Sequence, residues 1–351
     1  MPTLDTSRLL AFSQDLLLAQ GVPGDIARDV AEHLIESDRV GYASHGISIL
    51  PSYRRSLLGG HLHAGGRAEC ARDEGTRLAF DGHRGFGQHV GKTVFGQAIT
   101  RAQEAGHCLV TLRDSHHLGR LGYYGEMATS AGLVMLACVN VINRPPVVAP
   151  YGGAQARLTT NPLCFAVPLP GRPPLLVDMA TSAIAANKAR VLAARGEPAP
   201  AGALIDAQGQ ATDDPGVLFQ DPPGALLPFG AHKGYALGVV AELLAGVLSE
   251  GGTIQGRGNP DGVAVNNMFA LVLDPTASGD SQWRTHEASA FIDYLLACPP
   301  QPGADRVQYP GEFEADNRRR NAETIPMDEA TRQSLRTLAA DLGVAAGALE
   351  E

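Results

Sequence analysis

Two largely apolar runs, at 108–112 and 133–141, flank a helix-length stretch at 120–131, and this constrains the chain more than any other feature. A short apolar run without alternation reads as a strand buried on both faces. Strand, helix and strand in succession point to an α/β core. Further strands are expected at 77–81, 165–167, 175–178 and 268–273. The spacing Val90, Val94, Ala98, Ala102 predicts a helix that Gly106 ends. Glycine-flecked apolar residues at 235–248 predict a buried helix, and 285–297 another.

The N-terminal region has a different period. Leu9, Phe12, Leu16 and Ala19 share one face of a helix capped by Thr6 or Ser7 and stopped by Gly21. Ile26, Val30 and Leu34 define a second helix, with Asp25 as its cap. Asp328 caps a last helix that runs to Leu342 before Gly343. A polar, glycine-rich segment spans 59–75, and the Pro/Gly-rich stretch at 198–224 reads as a long surface excursion.

Composition narrows the function classes. Hydrophobic residues make up 44%, enough for a large core, and the net charge of −9 comes with no basic stripe, which argues against a nucleic-acid partner. The run Arg318 to Arg320 reads as a solvated helix face or a local phosphate contact. Five cysteines without a CxxC pair suggest free thiols in a reducing, cytoplasmic setting. No basic n-region precedes an apolar run at the N-terminus, and no stretch of about 18 apolar residues occurs, so neither a signal peptide nor a membrane span is expected.

The familiar nucleotide motifs fail. GxGxxG is absent: Gly85, Gly87 and Gly91 come nearest, with the last spacing one residue too long. Gly91-Lys92-Thr93 resembles the end of a phosphate-binding P-loop, but Phe86 stands where that loop needs glycine. GxSxG and HExxH do not occur, which leaves serine-hydrolase and zincin readings without support.

Three histidine clusters remain: Ser44-His45-Gly46 after the second helix, Asp114-Ser115-His116-His117 after a strand, and His232-Lys233-Gly234 at the mouth of the glycine-flecked helix. Imidazole titrates near neutrality and can exchange a proton with an alcohol or a forming alkoxide. His45 and His117 are the candidates, and Asp178, at the end of an apolar strand, could orient an imidazole. Asp114, His116 and His117 offer an alternative metal-dependent chemistry, although adjacent histidines diverge.

Taken in order, these clusters together with Val148-Ala149-Pro150-Tyr151-Gly152-Gly153, Thr160-Asn161-Pro162, Asp178-Met179-Ala180-Thr181-Ser182, Asn267-Met268-Phe269 and Pro310-Gly311-Glu312 resemble the malate/L-lactate dehydrogenase family, the type without a classical Rossmann fold. The resemblance runs over about residues 5–342. It implies a non-Rossmann, dinucleotide-binding mixed sheet flanked by helices (76–312) and a helical domain from distant segments (1–75 plus 313–351). It implies NAD or NADP as cofactor, a homodimer, and hydride transfer between nicotinamide and C2 of a small 2-hydroxy/2-oxo acid, with cyclic imino-acid reduction as the alternative. Ser44, His45, His117 and Asp178 would form the catalytic set, with Asp178 orienting His45. Thr160, Asn161, Asp178, Met179, Ala180, Thr181, Ser182, Lys188, His232, Lys233, Gly234, Pro310, Gly311 and Glu312 would contact the dinucleotide; no metal site is expected. The chain departs from the family at Ile49, where an arginine is common, and at Thr159 and Asn187, where glycines are usual. The missing arginine leaves Arg120 or Arg144 to hold a substrate carboxylate.

Overall fold

The 3.6-residue period at the N-terminus produces α1 (Thr6–Leu18), α2 (Gly24–Arg39) and α3 (Leu50–Leu58). The computed structural model describes residues 2–255, 263–277 and 279–350. Asp5, rather than Thr6 or Ser7, caps α1 by accepting from the Arg8 N–H at 2.8 Å. Pro23 precedes α2, and Asp25 sits inside its first turn, where a negative charge meets the positive helix end. Leu9, Phe12 and Leu16 pack with Ile26, Val30 and Leu34 in one apolar core, joined by Leu335 and Leu338 from the C-terminal end of the chain. A two-stranded pair, Thr3–Asp5 with Thr324–Pro326, ties the two ends together.

The rest of the chain builds a second core around a seven-stranded sheet. In chain order come β1 (Glu69–Glu74), β2 (Arg77–Asp81), α4 (Gly87–Ala105), β3 (His107–Ser115), α5 (Gly122–Ser130), β4 (Val134–Ile142), β5 (Leu163–Val167), β6 (Leu175–Met179), α6 (Ala186–Arg195), α7 (His232–Leu248), β7 (Val265–Leu273), α8 (Ser281–Leu296), α9 (Glu312–Arg320) and α10 (Glu329–Leu342). The strands lie in the order β1-β2-β3-β7-β4-β5-β6. Only β2 and β3 pair in parallel; the other neighbours are antiparallel. The expected strand–helix–strand unit is present as β3–α5–β4, but its strands are not neighbours, because β7 lies between them. Side chains alternate across β7. Met268, Ala270 and Val272 are fully buried in the core shared with α4 and α5, while Phe269 packs with Ala241 and Ala245 of α7 on the other face. The protein is therefore an α/β fold with a mixed sheet between helices.

Three local expectations are revised. The excursion at 198–224 is not bare loop: Leu204–Ile205, Ala211–Thr212 and Ala225–Leu226 form a small sheet whose Leu204 and Leu226 join a satellite core. The segment 59–75 contains β1, which pairs with β2, so the central sheet reaches past residue 75 toward the N-terminus. Helix α7 is buried on one side only, and Val240, Leu243 and Val247 stand exposed on it.

Candidate active site

The turn after α2 presents His45. Its backbone N–H donates to Tyr42 O at 2.9 Å, and its Nδ1 lies 2.9 Å from Ser44 Oγ. The end of β3 presents His117 from another direction. Asp114 there takes a positive φ of 51°, and the chain turns so that the His116 and His117 carbonyls pass over the start of α4. The imidazoles of His45 and His117 stack, with centroids 5.5 Å apart and planes inclined by 27°.

The close pass over α4 requires glycine at position 87. A Cβ built there lies 2.2 Å from His117 O and 2.6 Å from His116 O. Backbone cannot yield as a flexible side chain can, so Gly87→Ala is expected to displace the His117 segment. We expect a loss of about 1–3 kcal/mol in stability and of roughly 10²-fold in turnover, as for an ~1 Å misplacement. Thermal melting and steady-state kinetics check this, and a variant with normal kcat contradicts it.

Two residues missed in the sequence complete the cluster. Tyr53, buried on α3, places its hydroxyl 2.9 Å from His117 Nδ1, and Gln88 Nε2 donates to the same hydroxyl at 2.5 Å. Where the phenol hydrogen points to Nδ1, neutral His117 carries its proton on Nε2. No sequence spacing marks Tyr53 or Gln88; only the meeting of α3, α4 and β3 brings them to His117.

Both histidines are held neutral. Burial, followed by the charge of Arg120, lowers His45 to about 4. Burial takes His117 well below its ordinary value, with further lowering from His45, His116 and Arg144. Desolvation disfavours the imidazolium in each case.

The expected partnership of Asp178 with His45 is not what the fold builds. Asp178 Oδ2 accepts from the Gly122 N–H at 2.6 Å, and no hydrogen bond joins it to His45 among the described residues. Burial raises the Asp178 carboxyl to about 6 against the lowering effects of Gly122 and Arg120. Arg120 is itself enclosed, 1% exposed, with Nη2 2.6 Å from Glu126 Oε2. Arg144 differs. It follows β4 and is half-buried, and although the Nε of either arginine lacks a hydrogen-bond partner among the described residues, only Arg144 also lacks an acidic partner. Burial and then the nearby Arg190 lower its pKa, and its own charge reaches His117.

The metal alternative finds no support in the side-chain arrangement. Asp114 Oδ1 takes Arg84 Nε at 3.2 Å, His116 packs edge-on to Tyr53, and His117 turns to the Tyr53 hydroxyl. Among the described residues no three His, Cys, Asp or Glu side chains converge as metal ligands.

The segments expected to meet a dinucleotide gather along β6 and the start of α7. Thr160 O accepts from both Thr181 N and Thr181 Oγ1. A Cβ on Gly234 would fall 2.7 Å from Thr181 O, so Thr181 sits directly against the start of α7, with Ala180 and Ser182 on either side of it in the chain. Met179 packs with the α7 core, and Pro310 O accepts from Leu176 N beside it. Gly311, at φ +107°, passes over Pro174 O, and a Cβ there would lie 2.2 Å away. Glu312 is engaged with Arg306 and the Tyr309 N–H. Asn161 turns inward to Glu242 Oε2 at 2.7 Å and holds backbone rather than facing a ligand. His232 and Lys233 are exposed at the start of α7, and Lys188 is exposed on α6. Ala231, at φ 57°, precedes α7, and no side chain caps it; the Lys233, Gly234 and Tyr235 N–H groups donate instead to the Gly230, Phe229 and Ala231 carbonyls. The exposed His232 and Lys233 side chains are what this end of α7 offers to the phosphates of a dinucleotide.

The comparisons agree with the geometry. The model of the malate/L-lactate dehydrogenase family matches residues 4–336. The L-lactate dehydrogenase of Cupriavidus necator is 60% identical over 344 residues, covering 98% of each chain. Hydroxycarboxylate dehydrogenase B of Escherichia coli K12 is 37% identical, over 97% of this chain and 94% of its own. A solved Escherichia coli structure provisionally assigned as a malate/lactate dehydrogenase superposes with a TM-score of 0.94 at 36% identity, over 100% of this chain and 98% of its own. The chain belongs to the malate/L-lactate dehydrogenase family.

Proposed function

We propose that this protein is an NAD(P)-dependent dehydrogenase that oxidises a small L-2-hydroxy monocarboxylic acid of the lactate type. The observation that carries the reading is the pair of neutral, stacked imidazoles, together with an Arg144 guanidinium that has no acidic partner among the described residues and whose charge acts on His117. Oxidation removes a hydride from C2 and a proton from its hydroxyl. The bound nicotinamide supplies the hydride acceptor. His45, kept neutral by burial, takes the hydroxyl proton through Nε2 while Nδ1–H donates to Ser44 Oγ. His117 donates through Nε2–H to the same oxygen, its tautomer set by Tyr53. Arg144 holds the carboxylate, since Arg120 is already committed to Glu126.

Ile49 lies in the turn after His45 and packs against the helical core, so it adds no charge there. That favours an apolar C3 substituent over a second carboxylate, in line with the lactate-named relative. The α7 start with His232, Lys233 and Gly234 would hold the phosphates, and Asp178 to Ser182 with Pro310, Gly311 and Glu312 the nicotinamide end. Lys188 and Arg190, exposed on α6, are placed to meet a 2′-phosphate where the cofactor is NADP. We assign the protein to the cytoplasm on its five free cysteines, and a homodimer on the apolar stripe Val240, Leu243 and Val247 of α7.

The test is a panel of L-lactate, D-lactate and L-malate with NAD⁺ and NADP⁺, read by the absorbance of the reduced nicotinamide. Turnover of L-lactate in preference to L-malate is the expected result. Absence of turnover together with no binding of either reduced dinucleotide overturns the reading.

A further inference from the structure

The last turn of α2 carries a buried carboxylate with no part in the proton chemistry above. Asp38 is 8% exposed, and its Oδ2 accepts from the Ile47 N–H at 2.8 Å, two residues beyond His45. Gly46 lies against the same carboxyl: a Cβ built on it would fall 2.0 Å from Oδ1, 2.1 Å from Cγ and 2.2 Å from Oδ2. The carboxyl therefore occupies the space that any side chain at position 46 would need. It ties the Ser44-His45-Gly46 turn to α2, which the backbone joins through the Gly41 N–H to Asp38 O and the Tyr42 N–H to Ser37 O, both before His45.

The other end of α2 is anchored as well. His33 Nε2 accepts from the Arg120 N–H at 3.0 Å, and Asp29 Oδ2 lies 2.6 Å from His89 Nδ1. Helix α2 is thus fastened to the segment that follows His117 and to α4. A group that fastens the His45 turn to α2 sets the distance between the two imidazoles.

We propose that Asp38 is a positioning residue for His45: its carboxyl, accepting from Ile47 and seated against side-chain-free Gly46, holds the turn so that the His45 ring faces His117. The inference rests on the reading that His45 moves the substrate proton. A carboxylate and a carboxamide can both accept from Ile47, so the role needs an acceptor of this shape rather than a charge. Burial raises the Asp38 carboxyl to about 7, so a neutral group of the same shape is already part of its native behaviour.

Four variants test this: Asp38→Asn, Asp38→Ala, Gly46→Ala and the double variant Asp38→Ala/Gly46→Ala. The expected result is that Asp38→Ala lowers kcat at least about tenfold, by misplacement of the imidazole. The KM for the dinucleotide stays within about twofold, as expected when an interaction serves the chemical step alone. Asp38→Asn keeps kcat close to wild type, a rescue that a loss of general stability would not show. Gly46→Ala alone melts far below wild type, and removing the carboxyl in the double variant recovers most of that loss. Full kcat in Asp38→Ala, or an equal fall in Asp38→Asn, overturns the proposal. The melting cycle does not depend on activity. If the wild type turns over no 2-hydroxy acid, the proposed function fails, while a double variant that melts no higher than Gly46→Ala separately overturns the Asp38–Gly46 contact.

Discussion

Replacing His45 by alanine is expected to lower kcat for 2-hydroxy acid oxidation by about 10²–10⁴-fold, the usual contribution of a positioned general base. Binding of the reduced dinucleotide, read by its fluorescence, stays intact, because no cofactor segment depends on His45. The pH profile carries the same assignment. A base must be neutral to act, and a free imidazole is half-protonated at about pH 6.5. Burial holds His45 at about 4, so the acid limb of kcat/KM in the oxidation direction lies near 4, with activity lost as pH falls through it. The limb disappears in His45→Ala. His117→Ala removes a hydrogen-bond donor rather than the base, and costs less. Normal turnover in His45→Ala with collapse in His117→Ala would exchange the two roles.

Arg144→Ala is expected to lower kcat/KM for the hydroxy acid by roughly 10–100-fold, the worth of one charged hydrogen bond of about 1.5–3 kcal/mol. The effect falls mainly on KM, since the carboxylate is bound equally in the ground and transition states. The argument is one of spare charge. Arg144 has no acidic partner among the described residues, while Arg120 is enclosed and paired with Glu126, which also takes Arg318 Nη2 at 2.7 Å. Arg120→Ala leaves a nearly buried carboxylate short of a partner and is expected to show itself as a loss of stability. An unchanged KM in Arg144→Ala, with the fold intact, would return the clamp to another residue. Lysine at 144 restores the charge but not the fork geometry, so it recovers activity only in part.

Much of the scaffold was legible before any coordinate. Runs such as 108–112 and 133–141 are largely apolar because their strands are covered on both faces, and Gly106 and Gly343 end helices because each adopts the left-handed conformation. Asp328 caps α10 as read, by accepting from the Thr331 N–H at 2.8 Å. Capping by Asp5 was missed since Thr6 and Ser7 carry equally good capping groups one and two residues on, and only the backbone decides among them.

Strand order lay beyond the sequence. β3 and β4 are consecutive strands with a helix between them, yet β7, more than a hundred residues later, separates them; β3 and β7 carry equally buried inward side chains, so the local pattern does not say which of them lies beside β4.

The chemistry divides along the same line. The residue types, histidines at strand and turn ends among glycines, were readable because such motifs are local. The partnerships were not. His117 pairs with Tyr53 from 64 residues away, and Asp178 with Gly122 from 56. Arg144 is distinguished from Arg120 by having no acidic partner among the described residues. The sequence by itself determined which groups are available and which strands and helices carry them. Tertiary structure alone decided which groups meet, which are desolvated and which charge is left free, since these depend on packing between segments remote in the chain.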